Sequence, residues 1–152
     1  MNLKEKTYLG YVVLLRLWIG YYLLQQGVNK YLRDFPHRDW FSRQIGNLAD
    51  LNVFPWYKSF LQNAVFPNQE IFGYLVMTGE ILVGLCLVLG LLTRFSAIVG
   101  LFMMINYLLG PGMARGGASL AQQQTFIVSL LVIALSNPGR TLGVDGLLFG
   151  RR

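Results

Sequence analysis

The sequence predicts an all-α integral membrane protein: an antiparallel four-helix bundle, with a long loop of short amphipathic interfacial helices between its first two spans. Three observations lead there. The chain carries four apolar runs, most of them close to the roughly 20 residues needed to cross a hydrocarbon core. Charged residues make up 13% of it and the mean hydropathy is +0.46, whereas soluble domains carry about 25% charged residues. The runs after the long loop are joined by short turns, which favours antiparallel neighbours. The length of 152 residues suits a single membrane domain, residues 1–152.

The first span, residues 8–27, reads YLGYVVLLRLWIGYYLLQQG. It lies where a signal peptide would, but it contains Arg16 and lacks a small-x-small cleavage pattern, so it is read as a retained helix. The second span covers residues 70–92 and nearly coincides with the run IFGYLVMTGEILVGLCLVLGLLT of residues 71–93, uncharged but for Glu80 near its middle. Thr93-Arg94 leads to the third, residues 95–109, ended by Gly110-Pro111-Gly112. That run is short for a spanning helix, so it begins within the preceding turn or lies close to the bundle axis. The fourth covers residues 118–136 and stops at Asn137-Pro138-Gly139.

The loop, residues 28–69, is too aromatic for a flexible linker. Trp40, Phe41, Phe54, Trp56, Tyr57, Phe60 and Phe66 alternate there with Arg38, Arg43 and Lys58. WFSRQIGNLADL and PWYKSFLQNAVF read as interfacial helices bounded by Pro55 and Pro67. Either a packed cap over the bundle or a substrate lid fits this pattern.

A carboxylate in mid-span costs several kcal/mol unless it faces protein or water and has a partner. Arg16, Gly20, Gly27 and Lys30 share one helical stripe, and Gly73, Glu80 and Gly84 another. With the two helices antiparallel and close-packed at the glycines, Arg16 is expected opposite Glu80, as a structural ion pair or as part of a proton or substrate path. Asn106 and Gln122 complete the expected buried polar site. Those neutral groups serve either as inter-helix hydrogen bonds or as a polar pocket beneath the loop, with Lys30 and Arg115 at its mouth. Arg140 and Asp145 are expected to pair across a reverse turn as a structural clasp, with Gly143 and Gly146 allowing the bends.

Several chemistries are excluded. The net charge is +6, but the basic residues flank apolar runs, so their partners are anionic lipid head groups and not nucleic acid. Cys86 stands alone, which rules out an intramolecular disulfide or a CxxC pair. His37 is the single histidine, and no Glu-x-x-His, HExxH, phosphate-binding or dinucleotide motif occurs. No metal site and no intrinsic cofactor are expected; a redox cofactor would have to be mobile, such as a quinone, or belong to a partner. Charge does not orient the chain. Lys4, Lys6, Arg94, Arg140, Arg151 and Arg152 balance Lys30, Arg33, Arg38, Arg43, Lys58 and Arg115 on the other side.

Three segments carry a family resemblance. LLRLWIGYYLLQQGVNK resembles the first helix of the DoxX/DoxD membrane proteins, with an arginine, a glycine, then Gly-x-x-Lys. GEILVGLCLVLGLLTRFSAIVGLFMMINYLL is similar to their second and third helices, and GRTLGVDGLL to their tail. The loop with PWYKSFLQNAVFPN is closer to the DoxD branch, the small subunit of thiosulfate:quinone oxidoreductase. The resemblance marks Arg16, Gly27, Lys30, Glu80, Arg94, Asn106, Arg140 and Asp145 as family-type positions. It implies a four-helix bundle in a bacterial or archaeal inner membrane with both termini cytoplasmic.

Two functions follow as expectations. One is a quinone-interacting or accessory subunit of a membrane oxidoreductase or electron-transfer complex, not an enzyme on its own. The other is a non-catalytic structural subunit of a respiratory or photosynthetic complex, packed against other subunits, lipids or pigments. A small-solute carrier ranks below both, because four helices are few for alternating access and no inverted repeat is visible.

Overall fold

The computed structural model describes residues 3–35 and 54–150, and those residues form helices and turns without strands. The long helices are α1 (Leu3–Leu32), α3 (Gln69–Leu89), α4 (Thr93–Tyr107) and α5 (Gly117–Ser136). Two short ones are α2 (Pro55–Phe60) and α6 (Val144–Leu148). In the bundle α1 packs on α3, α3 on α4, α4 on α5 and α5 back on α1. Ile19, Leu23, Leu87, Ala97, Leu130 and Ile133 fill the centre. Outward faces carry residues such as Leu82, Phe95, Phe102, Val128 and Leu135, all exposed, as hydrocarbon contact requires.

Three helical stretches are long and apolar enough to cross a membrane: Pro55–Leu89, Thr93–Arg115 and Gly117–Ser136. At 30 residues α1 is long enough, but Arg16, Gln25 and Gln26 dilute its apolar character and it is not among the three.

Helix ends differ from expectation in three places. The turn expected at Thr93-Arg94 lies at residues 90–92, since α3 stops at Leu89 and α4 already starts at Thr93. Beyond residue 27, α1 continues to Leu32, which puts Lys30 on a helix and not in a loop. Gly110-Pro111-Gly112 does not end the third long helix. It passes through a π-turn, Leu108–Gly112, and one more turn, Met113–Arg115. A proline ring collides with the carbonyl four residues back in an α-helix, and a wider turn relieves that collision. PWYKSFLQNAVF is helical as expected, but it runs on as α2, a π-turn (Leu61–Val65) and a 3-10 turn (Phe66–Asn68) straight into α3. The other expected loop helix, WFSRQIGNLADL, lies outside the described residues.

Glycines set the closest helix approach. A Cβ on Gly84 would come within 2.8 Å of the Gly20 carbonyl oxygen and of Leu24 Cα. A side chain there meets backbone on both sides, which does not rotate away. Gly84→Val is therefore expected to destabilise the detergent-solubilised protein by about 1–3 kcal/mol, read as a lowered unfolding midpoint. An unchanged midpoint would mean that α1 and α3 do not pack at this distance.

Candidate functional site

The same glycine contacts give the register of α1 on α3. Gly27 abuts Ile81, Leu24 abuts Gly84, and Gly20 abuts Val88. The helices are antiparallel, as expected, and this register brings Lys30 beside Glu80. The Lys30 ammonium bonds both carboxylate oxygens of Glu80. The Tyr107 hydroxyl donates to Glu80 Oε1 at 2.6 Å, and Lys30 Nζ lies 3.3 Å from that hydroxyl. Glu80 is 1% exposed and the Lys30 side chain 19%, so the carboxylate is sealed while part of the lysine side chain reaches the surface. Lys30 Nζ also sits 5.6 Å from the Phe35 ring centre and 5.5 Å from that of Tyr107, within cation–π range.

The expected Arg16–Glu80 pair does not form. By the observed register Leu92, not Glu80, lies opposite Arg16. That is about 12 residues, or roughly 18 Å, from where the pair would need it. The shared stripe Arg16–Gly20–Gly27–Lys30 is real, since the first three are buried and Lys30 is half-buried, but its other end reaches the carboxylate. A four-carbon lysine stem carries the charge inward from near the helix terminus.

Arg16 serves the opposite end of the bundle. It is 2% exposed, with its guanidinium against Gly90 and Gly143, where a Cβ at either position would collide with Nη1. Its Nε and Nη1 find no hydrogen-bond partner among the described residues; Asp145 is the charged group whose field acts on it. The Asp145 carboxylate accepts the Leu92 N–H at 2.7 Å and the Thr93 N–H at 2.8 Å, and the Asp145 N–H donates to the Gly90 carbonyl at 2.9 Å. It thus caps the free N–H groups that begin α4 and holds Leu92 in a left-handed conformation (φ 46). The tail meets the α3–α4 turn through Asp145, so the expected partners of that carboxylate are corrected. No ion pair joins Arg140 to Asp145 among the described residues, because Asp145 turns inward to the α3–α4 turn.

The remaining expected site residues are dispersed. Asn106 is half-buried and donates to the Phe102 carbonyl of its own helix at 2.8 Å. Gln122 is exposed and not buried, because it lies on the outer side of α5; its amide reaches back to the Tyr22 hydroxyl at 2.6 Å. Arg115 is exposed at the end of the α4 extension. Sequence reasoning missed Tyr107, although it adjoins Asn106 and falls on the α4 face that meets α3. It also missed Tyr57, which is buried and donates to the Asn106 carbonyl at 3.1 Å.

Among the described residues no three His, Cys, Asp or Glu side chains come together as a metal site would require. The cluster at Glu80 offers different chemistry: an ammonium and a phenol as donors, and a buried carboxylate able to hold a proton. The model of the DoxX family matches residues 11–109, which take in most of α1 and all of α3 and α4. No curated protein and no solved structure matches the chain.

Proposed function

This chain belongs to the DoxX family, and we propose that it works as an integral membrane subunit of an electron-transfer complex, using Lys30, Glu80 and Tyr107 to hold the head group of a quinone. The observation that carries this reading is a carboxylate buried among apolar helices and bonded to a lysine whose side chain is only partly buried. Buried ionisable groups at membrane depth mark ligand or proton paths more often than scaffolding.

The residues fit such a ligand. Quinone carbonyl oxygens accept hydrogen bonds, and Lys30 is a donor that would turn to one from the Tyr107 hydroxyl, which keeps its single hydrogen on Glu80. When bound, the quinone would supply the electron acceptor. Lys30 would orient a carbonyl, and Glu80 would hold a proton close to it. In this reading α1 is a fourth span, both termini face the cytoplasm, and the chain acts with partner subunits and not alone, as the DoxD-like pattern of its loop implies.

The test is mild-detergent purification followed by extraction of bound quinone and photo-crosslinking with an azidoquinone. The expected result is quinone bound to the native protein and a loss of at least about tenfold, or 1.4 kcal/mol, in Lys30→Met with Glu80→Gln. Unchanged crosslinking in that variant, properly folded, or no quinone on the native protein, would overturn the reading. A complex that keeps normal turnover with the variant would instead mark the chain as a structural subunit. Its contacts would then lie on outward residues such as Phe95 and Leu131, both exposed.

A further inference from the structure

We propose that Tyr57 is a latch that positions Tyr107 on Glu80, by supplying the hydrogen bond that Pro111 is unable to make. In a π-turn each N–H is directed to the carbonyl five residues back. Pro111 lies inside the π-turn Leu108–Gly112 and has no N–H; the carbonyl five residues before it is that of Asn106. The Tyr57 hydroxyl donates to this carbonyl from another helix, at 3.1 Å. Tyr57 is 6% exposed, and an unpaired carbonyl at such a site is costly.

Packing supports the same link. Tyr57, Leu61 and Val65 form a small core of their own, against Phe72 of α3 and Leu109 and Ala114 of the α4 extension. One π-turn, Leu61–Val65, therefore rests on the other, Leu108–Gly112. Such turns sit where a helix must deform, frequently beside functional groups. Asn106, which takes the Tyr57 bond, is the immediate neighbour of Tyr107, whose hydroxyl reaches Glu80. Movement of α2 away from α4 would free the Asn106 carbonyl, loosen the last turn before the π-segment, and withdraw the phenol from the carboxylate. α2 thereby controls the cluster through one hydrogen bond. This would regulate the proposed quinone site, while its first test uses no quinone and so stands or falls separately.

That test is amide hydrogen exchange on the full chain in lipid nanodiscs, with Tyr57→Phe, Pro111→Ala and the double variant. Tyr57→Phe is expected to speed exchange across residues 106–113 by about tenfold, the equivalent of 1.4 kcal/mol, without changing residues 144–148 at the far end. Pro111→Ala restores an N–H, so the double variant should return residues 106–113 to near-native exchange. Labelling of Glu80 by a lipid-soluble carbodiimide should rise in Tyr57→Phe and fall again in the double variant. Should Pro111→Ala prevent folding, 4-aminophenylalanine at position 57 keeps a donor in the same place and should behave as native. Native exchange in Tyr57→Phe would overturn the latch. So would a double variant, or a donor-bearing replacement, that remains as loose as Tyr57→Phe.

Discussion

Lys30→Met is expected to destabilise the protein by about 3–5 kcal/mol, because it leaves the Glu80 carboxylate buried without its cation. Glu80→Leu alone strands the ammonium less severely, since Lys30 is partly exposed and its long stem lets the charge swing toward water or lipid head groups. The double variant Lys30→Met with Glu80→Leu should recover most of the Lys30→Met loss. A residue of about 1 kcal/mol should remain from the Tyr107 hydroxyl, which loses its acceptor, and adding Tyr107→Phe should remove it. Thermal or denaturant unfolding in detergent measures each step of this cycle. Arg16→Leu combined with Glu80→Leu provides the contrast: the two sites lie at different ends of the bundle, so their effects should add. A large coupling between Arg16 and Glu80, with none between Lys30 and Glu80, would mean that the register of α1 on α3 is wrong.

Asp145→Ala is expected to be nearly as damaging, at about 3–5 kcal/mol. It removes the acceptor of two backbone N–H groups at Leu92 and Thr93. It also takes away the negative charge whose field acts on buried Arg16. Asp145→Asn separates the two losses: its amide oxygen still accepts one of the N–H bonds, but the charge is gone, so about half the effect should remain. Arg140→Ala serves as the comparison, with a change expected within about 0.5 kcal/mol. Equal losses in Asp145→Ala and Arg140→Ala would restore the Arg140–Asp145 pair as the clasp.

Much of the helical architecture was legible because it depends on local composition. The apolar run around Glu80 and the stop at Asn137-Pro138-Gly139 each announce themselves within a few residues, whereas the turn expected at Thr93-Arg94 falls earlier, at residues 90–92. Gly110-Pro111-Gly112 was misread because the same residues that usually stop a helix also fit a π-turn, and only packing of Leu109 against Tyr57 and its neighbours decides between the two. The polar cluster was half legible. Glu80 was marked by the cost of its charge, and the stripe from Arg16 to Lys30 was correctly placed on one face. Periodicity gives the face of a helix but not its register against a neighbour, and a shift of three turns exchanges one cation for the other. The phenols went unnoticed for a related reason. A tyrosine in an apolar run resembles an ordinary core or interface aromatic until its hydroxyl is seen to meet a partner.

The spacing of the Lys30–Glu80 bond along the chain bears on how the protein reaches the membrane. Its partners are fifty residues apart, and Asp145, which neutralises the environment of Arg16, comes still later. While the chain is being made, α1 therefore leaves the ribosome with Arg16 and Lys30 still lacking Asp145 and Glu80, on a helix that is not itself apolar enough to count as a spanning segment. The strongly apolar stretch ending at Leu89 has mean hydropathy 2.1 over its best window and brings Glu80, the partner of Lys30. In the proposed four-span reading, settling of α1 at full depth thus belongs after the arrival of α3, when Glu80 meets Lys30, and the tail closes over Arg16 last. Biogenesis becomes an ordered docking of a reluctant helix onto a willing one, directed by where the charges fall in the chain.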